Sequence, residues 1–499
     1  MINKKVVIVG GGTAGLLIAN NLKNHFDVTI VEKSQYQKYP NWFKPPLMIG
    51  LLFRSKKLKY MSKRDIVMPD GRHIPFFESN VLGGASVING CVHMVGDKIS
   101  WSSILEKFDS NYEELIDSYK KIYSLNSKNK NKISLASSYQ SFIDKSFIKT
   151  LNLLGIPKGD SNYSDFESCG PIYNTVRRFS RTSILSIFNK KNLKYSINES
   201  VNEFLFNGSK IVGVKTNLRN IDADYVILSG GVIGTCGLLL NEYDKQKNKG
   251  NNILNSLMLG EKIQDHANLR INILTNKNIG SLNEVSNSFY QKATLLLKHF
   301  SGRTTLMKGT GASSSVHLDL NGDGVIDTRI QIVQFSETGR HGSDGKYFSS
   351  IKPGFSLSIT PIHPKSKGKV LMDGSNNIVN PMFLSSKADI ELLKLALKFC
   401  LKLLRSSPIN EHILKIEDEH NIENNPEEYI TKNIFSGHHL IGGMQDAINA
   451  NFQLKKTKGL YICDASIFDR YAASNIHSSV ILIADIFSNK FIKNNKGKE

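Results

Sequence analysis

Within its first 32 residues the chain sets out a strand, a glycine turn, a helix, a second strand and an acid. Val6-Val7-Ile8-Val9 is apolar, Gly10-Gly11-Gly12-Thr13-Ala14-Gly15 follows at once, and Leu16-Leu17-Ile18-Ala19 resumes the apolar pattern. A second apolar strand, Val28-Thr29-Ile30-Val31, ends on Glu32. A glycine triplet alone constrains little. The complete unit in this order is the dinucleotide fingerprint. Gly10 permits the tight turn, Gly12 lets the backbone approach a pyrophosphate, and Gly15 lets the helix pack closely on the strand. The phosphates are expected at the helix N-terminus beside Thr13 and Ala14, with Glu32 accepting from an adenosine ribose. The ligand is FAD or NAD, and later segments decide which.

At 499 residues the chain suits two intimately joined domains, and a mean hydropathy of −0.23 reads as globular. No run approaches the roughly 18 to 20 apolar residues of a membrane span. The most apolar run, Ser478 to Phe487, is expected to be a core helix. Lys4-Lys5 precede only a short strand that enters the glycine turn, so no signal peptide is expected and the cytoplasm is the default location. The formal charge of +20 comes mostly from dispersed Lys. No aromatic residues interleave with it as a stacking platform would require, so nucleic acid is not an expected partner. Five scattered cysteines without CxxC spacing argue against a metal site and a disulfide framework, and are expected to be free and mostly buried.

By composition, Ser124 to Lys132 and Asp244 to Asn252 are expected to be surface loops, and the tail from Lys493 a frayed end. Asn207-Gly208 reads as a hairpin turn before Val212 to Thr216, followed by the strand-like run Ala223 to Leu228. Leu392 to Leu404 and Val480 to Phe491 have helical apolar spacing.

Several further segments, in colinear order from residue 5 to 490, together resemble the glucose-methanol-choline (GMC) family of flavoprotein oxidoreductases. They are Leu82-Gly83-Gly84-Ala85-Ser86-Val87-Ile88-Asn89-Gly90, Tyr225 to Thr235, Leu259-Gly260-Glu261-Lys262-Ile263-Gln264-Asp265-His266, His363 to Val370, and Gly459 to Phe468. Gly234-Thr235 stands where the family usually has Ser-Pro. The resemblance implies FAD as cofactor. Gly83 and Gly84 would bring backbone amides beside it, with Ser86 and Gly90 in the same loop. Asn89 would either hydrogen-bond the isoalloxazine edge or cap its own turn. Asp464, beside Ala465, would either accept from ribityl hydroxyls or cap the last helix. Val201 completes the expected cofactor contacts. Asp265 and His266 read as structural residues at the domain junction. Covalent members attach flavin through a His that aligns with Ile88 here, so FAD is expected to be noncovalent.

Oxidising an alcohol by hydride transfer needs a base for the hydroxyl proton and a donor to fix the oxygen. The family places its base in an HxxG turn, and His439 stands in that register before Gly442; adjacent His438 is the base if the turn is offset by one. The family's second residue, His or Asn, falls on Asn475, with Ile476 replacing the usual Pro and His477 two residues on. Asp319 to Asp327 resembles the start of a calcium loop, but its twelfth position is Ile330, and a tight hairpin turn is the expected form.

The expected fold class is α/β: a Rossmann-type FAD-binding domain with an interleaved antiparallel-sheet substrate domain. The FAD domain is expected from 1–40, 75–100, 195–265 and 455–499, and the substrate domain from 41–74, 101–194 and 266–454. The expected function is oxidation of the CH–OH group of an alcohol, such as a sugar or polyol, with oxygen, a quinone or another acceptor taking the electrons. The alternatives are a non-redox lyase or light-driven decarboxylase on the same fold, and a degenerate binding module. No metal is expected.

Overall fold

The computed structural model describes residues 4–50, 59–248, 253–338, 348–349, 352–373 and 376–496. Five parallel strands form one sheet in the order Lys194–Ile197, Asp27–Glu32, Lys5–Val9, Tyr225–Leu228, Leu460–Ile462. Numbered along the chain this is the 3-2-1-4-5 order of the doubly wound fold. The switch point therefore falls beside the first strand, where such sheets hold their ligands. The central strands are continuous apolar runs because both faces are covered. Val6, Ile8, Val226 and Ile227 are sealed from solvent. The helices Thr13–Leu22 and Ile476–Asn495 pack on each other, and the latter buries every residue from Ser478 to Ser488. The apolar run Ser478 to Phe487 is thus the core helix expected of it. No helix among the described residues is long and apolar enough to cross a membrane.

The second large layer is a seven-stranded antiparallel sheet. Its main path runs Ile413–Ile416, Ala267–Thr275, Gly354–Pro361, Thr328–Val333, Ala312–Leu318, Ser168–Pro171, and Phe435–Ser436 pairs with the start of Ala267–Thr275. Side chains alternate across a strand, so period-two sequences sort onto two faces. Leu269, Ile271, Ile330, Ile332, Leu357 and Ile359 form the apolar face. Asn268, Arg270, Arg329, Gln331 and Ser358 occupy the other, which fronts a cavity. That second face is polar although buried, the first sign that it serves a ligand.

The Asn207-Gly208 hairpin forms between Val201–Asn207 and Lys210–Thr216, and all five cysteines are free and buried. Leu392 to Leu404 lies within the helix Lys387–Leu404. Two expectations need correction. Asp244 to Asn248 is the end of the helix Gly231–Asn248, not a loop; residues 249–252 lie outside the described residues, as do 497–499 of the tail. Residues 319–327 form a long connection, not a tight turn, since Leu318 already pairs with Thr328. The Asp319 carboxylate accepts from the amides of Gly322, Asp323 and Gly324, and Asp327 from those of Leu320 and Asn321, so the loop closes on itself.

Candidate active site

A cavity of about 1210 Å³ runs from the glycine turn of the parallel sheet to the polar face of the antiparallel one. Of the residues singled out in the sequence, Gly10, Gly12, Thr13, Ala14, Glu32, Gly84, Asn89, Gly90, Val201, Asp464, Ala465, His439 and Asn475 line it. Gly15, Gly83 and Ser86 do not. Gly15 serves packing, since a Cβ there would stand 1.9 Å from the Gly10 carbonyl oxygen. Gly83 donates its amide to the Gly11 carbonyl, and the Ser86 hydroxyl donates to the Gly83 carbonyl at 2.7 Å. Both hold the loop that carries Gly84.

The wall fits a dinucleotide. Gly12 has φ −82° and ψ −161°, a backbone any residue adopts, and an added Cβ would meet nothing nearer than 3.9 Å. Neither backbone nor packing calls for glycine here, whereas a ligand passing close to the main chain does. Gly234 repeats the case, with no atom within 4 Å of its missing Cβ. The helix beginning at Thr13 has no side-chain cap and no acid in its first turn, and Thr13 and Ala14 line the cavity, as a phosphate site requires. Glu32 accepts from the amides of Gly11 and, at 2.7 Å, Ser34, which fixes its carboxylate while leaving lone pairs for hydroxyls. Asp464 accepts from Gly231 N at 2.9 Å, Thr235 Oγ1 at 2.6 Å and Ser466 N at 2.8 Å. It caps the short turn Ala465–Ile467 rather than the last helix, and burial raises its pKa. Asn89 Oδ1 accepts from Cys91 N at 3.1 Å and from Arg181, so the oxygen caps its turn and the NH₂ group is left for the cavity.

At the other end stands a histidine pair. His439 Nδ1 is 3.0 Å from His266 Nδ1, and His266 Nε2 is 3.2 Å from the Ile362 carbonyl oxygen. A carbonyl only accepts, so His266 Nε2 carries the proton and its Nδ1 is a lone pair. His439 must then donate from Nδ1, which leaves its Nε2 bare. That atom has no hydrogen bond among the described residues, and the ring lines the cavity. Asp265 clamps both backbones, accepting from His266 N and His439 N at 2.8 Å each and from the Ser436 hydroxyl. Tyr471 stacks on His266 at 3.9 Å and donates to the His439 carbonyl at 2.9 Å. Burial pushes the His439 imidazole down to about 3, with the Arg329 charge adding to it; burial pushes His266 down as well and Asp265 up to about 6. His439 is a neutral, oriented acceptor.

Asn475 caps the last helix in position but not in bonding. Its side chain makes no cap hydrogen bond; instead Oδ1 accepts from Arg329 Nη1 at 2.9 Å. With the oxygen committed, the amide can only donate to a ligand. Arg329 was not among the residues read from the sequence, although the alternation Arg329-Ile330-Gln331-Ile332 marks it as polar on a buried strand. His266 was read as structural, and its contact with His439 spans 173 residues, beyond any local spacing. His438 also lines the cavity, at φ +58°, with its ring 5.0 Å from Phe76. His477 lines it too, held neutral by burial, whereas His93 packs on Tyr123 away from it.

A family model described as GMC oxidoreductase matches residues 4–268 with its N-terminal part and 364–484 with its C-terminal part. An oxygen-dependent choline dehydrogenase of Staphylococcus aureus (strain JH9) is 23% identical over 545 aligned positions, covering 96% of this chain and 91% of that protein. The solved pyridoxine 4-oxidase from Mesorbium loti superposes with a TM-score of 0.82 at 17% identity, over 98% of this chain and 99% of that one. A formate oxidase variant from Aspergillus oryzae RIB40, studied for its FAD modification, gives 0.85 at 17% identity over 99% of both chains. These structural likenesses show a shared fold.

Proposed function

The chain belongs to the GMC oxidoreductase family, and from that premise we propose that it binds FAD noncovalently and oxidises the CH–OH group of a small alcohol. The observation that carries this reading is the bare Nε2 of His439, fixed by His266 and Ile362, on the cavity wall it shares with Asn475. When bound, FAD accepts the hydride of the reaction at its N5. Gly10, Gly12, Thr13 and Ala14 would hold the pyrophosphate, Glu32 the ribose, Asp464 and Ala465 the ribityl chain, and Gly84, Asn89 and Gly90 the ring side, with Val201 an apolar contact. His439 Nε2 takes the hydroxyl proton, and the Asn475 NH₂ group donates to the oxygen and fixes it. The supporting shell of Asp265, Ser436 and Tyr471 holds the base in place at no cost during turnover.

The noncovalent assignment rests on Ile88, which stands on the cavity wall where covalent relatives are expected to carry histidine and offers no nucleophilic atom. Acid precipitation of the yellow protein is expected to leave FAD in the supernatant; flavin that stays with the pellet overturns the assignment. The chemistry is tested by titrating the anaerobic holoenzyme with carbinols and following the flavin absorbance.

A further inference from the structure

Arg329 lies on the polar face of the seven-stranded sheet, 3% exposed, and lines the cavity. Its Nη1 donates to Asn475 Oδ1 and contacts Met94 Sδ, its Nη2 reaches Thr360 Oγ1 only at 3.5 Å, and Nε has no partner. No carboxylate pairs with it among the described residues. Among the described residues, the other two arginines on the wall are neutralised, Arg64 by Glu78 and Arg270 by Glu337. The imidazoles that feel the Arg329 charge, His439, His266 and His317, are neutral. Beside Asn475 the cavity wall therefore holds a buried positive charge with no counter-ion among the described residues.

A buried guanidinium without a counter-ion is unfavourable, and its planar fork matches a carboxylate. We propose that the substrate supplies the missing charge: the alcohol oxidised here is a short hydroxy acid whose carboxylate pairs with Arg329 while its hydroxyl meets Asn475 and His439. The chain is short because Arg329 and Asn475 are directly hydrogen-bonded neighbours, Nη1 to Oδ1, so the side chains that would meet carboxylate and hydroxyl are adjacent. The inference rests on the alcohol-oxidation reading above and narrows its substrate class. In the reaction the carbinol C–H bond breaks, with both electrons leaving as hydride to oxidised FAD. The O–H bond breaks with its proton passing to His439, and a C=O bond forms. The product is an oxo acid.

The test is anaerobic flavin reduction by glycolate, lactate, 2-hydroxybutyrate and 3-hydroxybutyrate, each paired with its methyl ester. At least one acid is expected to reduce the holoenzyme about 100-fold more efficiently than its ester, the scale of a charged hydrogen bond. R329Q should shrink that ratio to about threefold or less, and R329K should restore part of it, because the charge returns without the fork. Oxalate, which cannot be oxidised as a carbinol, is expected to raise the melting temperature of the parent and not of R329Q. Reduction by neutral alcohols and esters with no preference for the acids, or no oxalate shift in the parent, overturns the inference and leaves alcohol oxidation standing. Reduction by no carbinol of either charge removes the alcohol reading itself. If R329Q does not fold, the acid-to-ester ratio and the oxalate shift of the parent decide alone.

Discussion

Replacing His439 with alanine is expected to slow flavin reduction by about 10²- to 10⁴-fold, the range for losing a general base. FAD should stay bound, because the glycine turn, Glu32 and Asp464 that would hold it lie on other segments. The loss should be in the rate of reduction rather than in substrate affinity, since a proton acceptor acts in the transition state. Asn475→Ala should cost about 10- to 10³-fold, as one oriented donor is removed while the base survives. His438→Ala is the internal control. Its ring sits against Phe76 and Phe77 and not in the His266 contact, so the effect should be small. A crippled His438 variant beside a mild His439 variant would shift the assigned register by one. Parental rates in all three would remove the base from His439 altogether.

Acid is expected to destabilise the fold steeply, starting near neutrality. Burial pushes His93, His317 and His439 down to about 3 and His477 to about 4. In the unfolded chain each takes a proton near pH 6.5; in the folded protein none does until far lower. The unfolded state thus binds more protons across this window, and stability falls as pH falls from about 6.5 toward 4. Each of these histidines contributes about 1.4 kcal/mol per pH unit once its unfolded form is fully protonated, whereas Asp265, pushed up to about 6, binds its proton in the folded state first and offsets close to one of them, so the net is about 4 kcal/mol per unit near pH 5. Against a total of about 5 to 15 kcal/mol, that is decisive. Urea midpoints at pH 7.5, 6.5 and 5.5 should decline with growing slope. His93→Phe should lower the slope by about 1.4 kcal/mol per pH unit, since its ring nitrogens have no partners to lose. A midpoint unchanged from pH 7.5 to 5.5 would contradict the neutral burial of these rings.

Part of this site was legible in the chain order. The glycine turn, Glu32 and the first two strands are local, and the physics that demands them acts within about thirty residues. His439 and Asn475 were reached through the resemblance, and both line the cavity. What the spacing could not reveal is what fixes them. His266 orients His439 across 173 residues and Arg329 turns Asn475 from its helix cap across 146, contacts that exist only once two sheets enclose one cavity. Asn475 breaks a local rule, since Asn at a helix start ordinarily caps it; such departures concentrate at functional sites. The misread stretch after Asp244 shows the opposite failing. Its Lys- and Asn-rich composition looked like a loop, yet the helix begun by the buried Gly231–Leu240 segment carries it along.

The most direct measurement of alcohol oxidation by this site is the anaerobic reduction of the bound flavin by a carbinol and by the same carbinol deuterated at the reacting carbon. The expected result is bleaching of the flavin to its two-electron-reduced spectrum, slowed by deuterium because the C–H bond breaks as hydride leaves, and slowed again in His439→Ala. A spectrum left unchanged by every acid, ester and neutral alcohol in the series would contradict it.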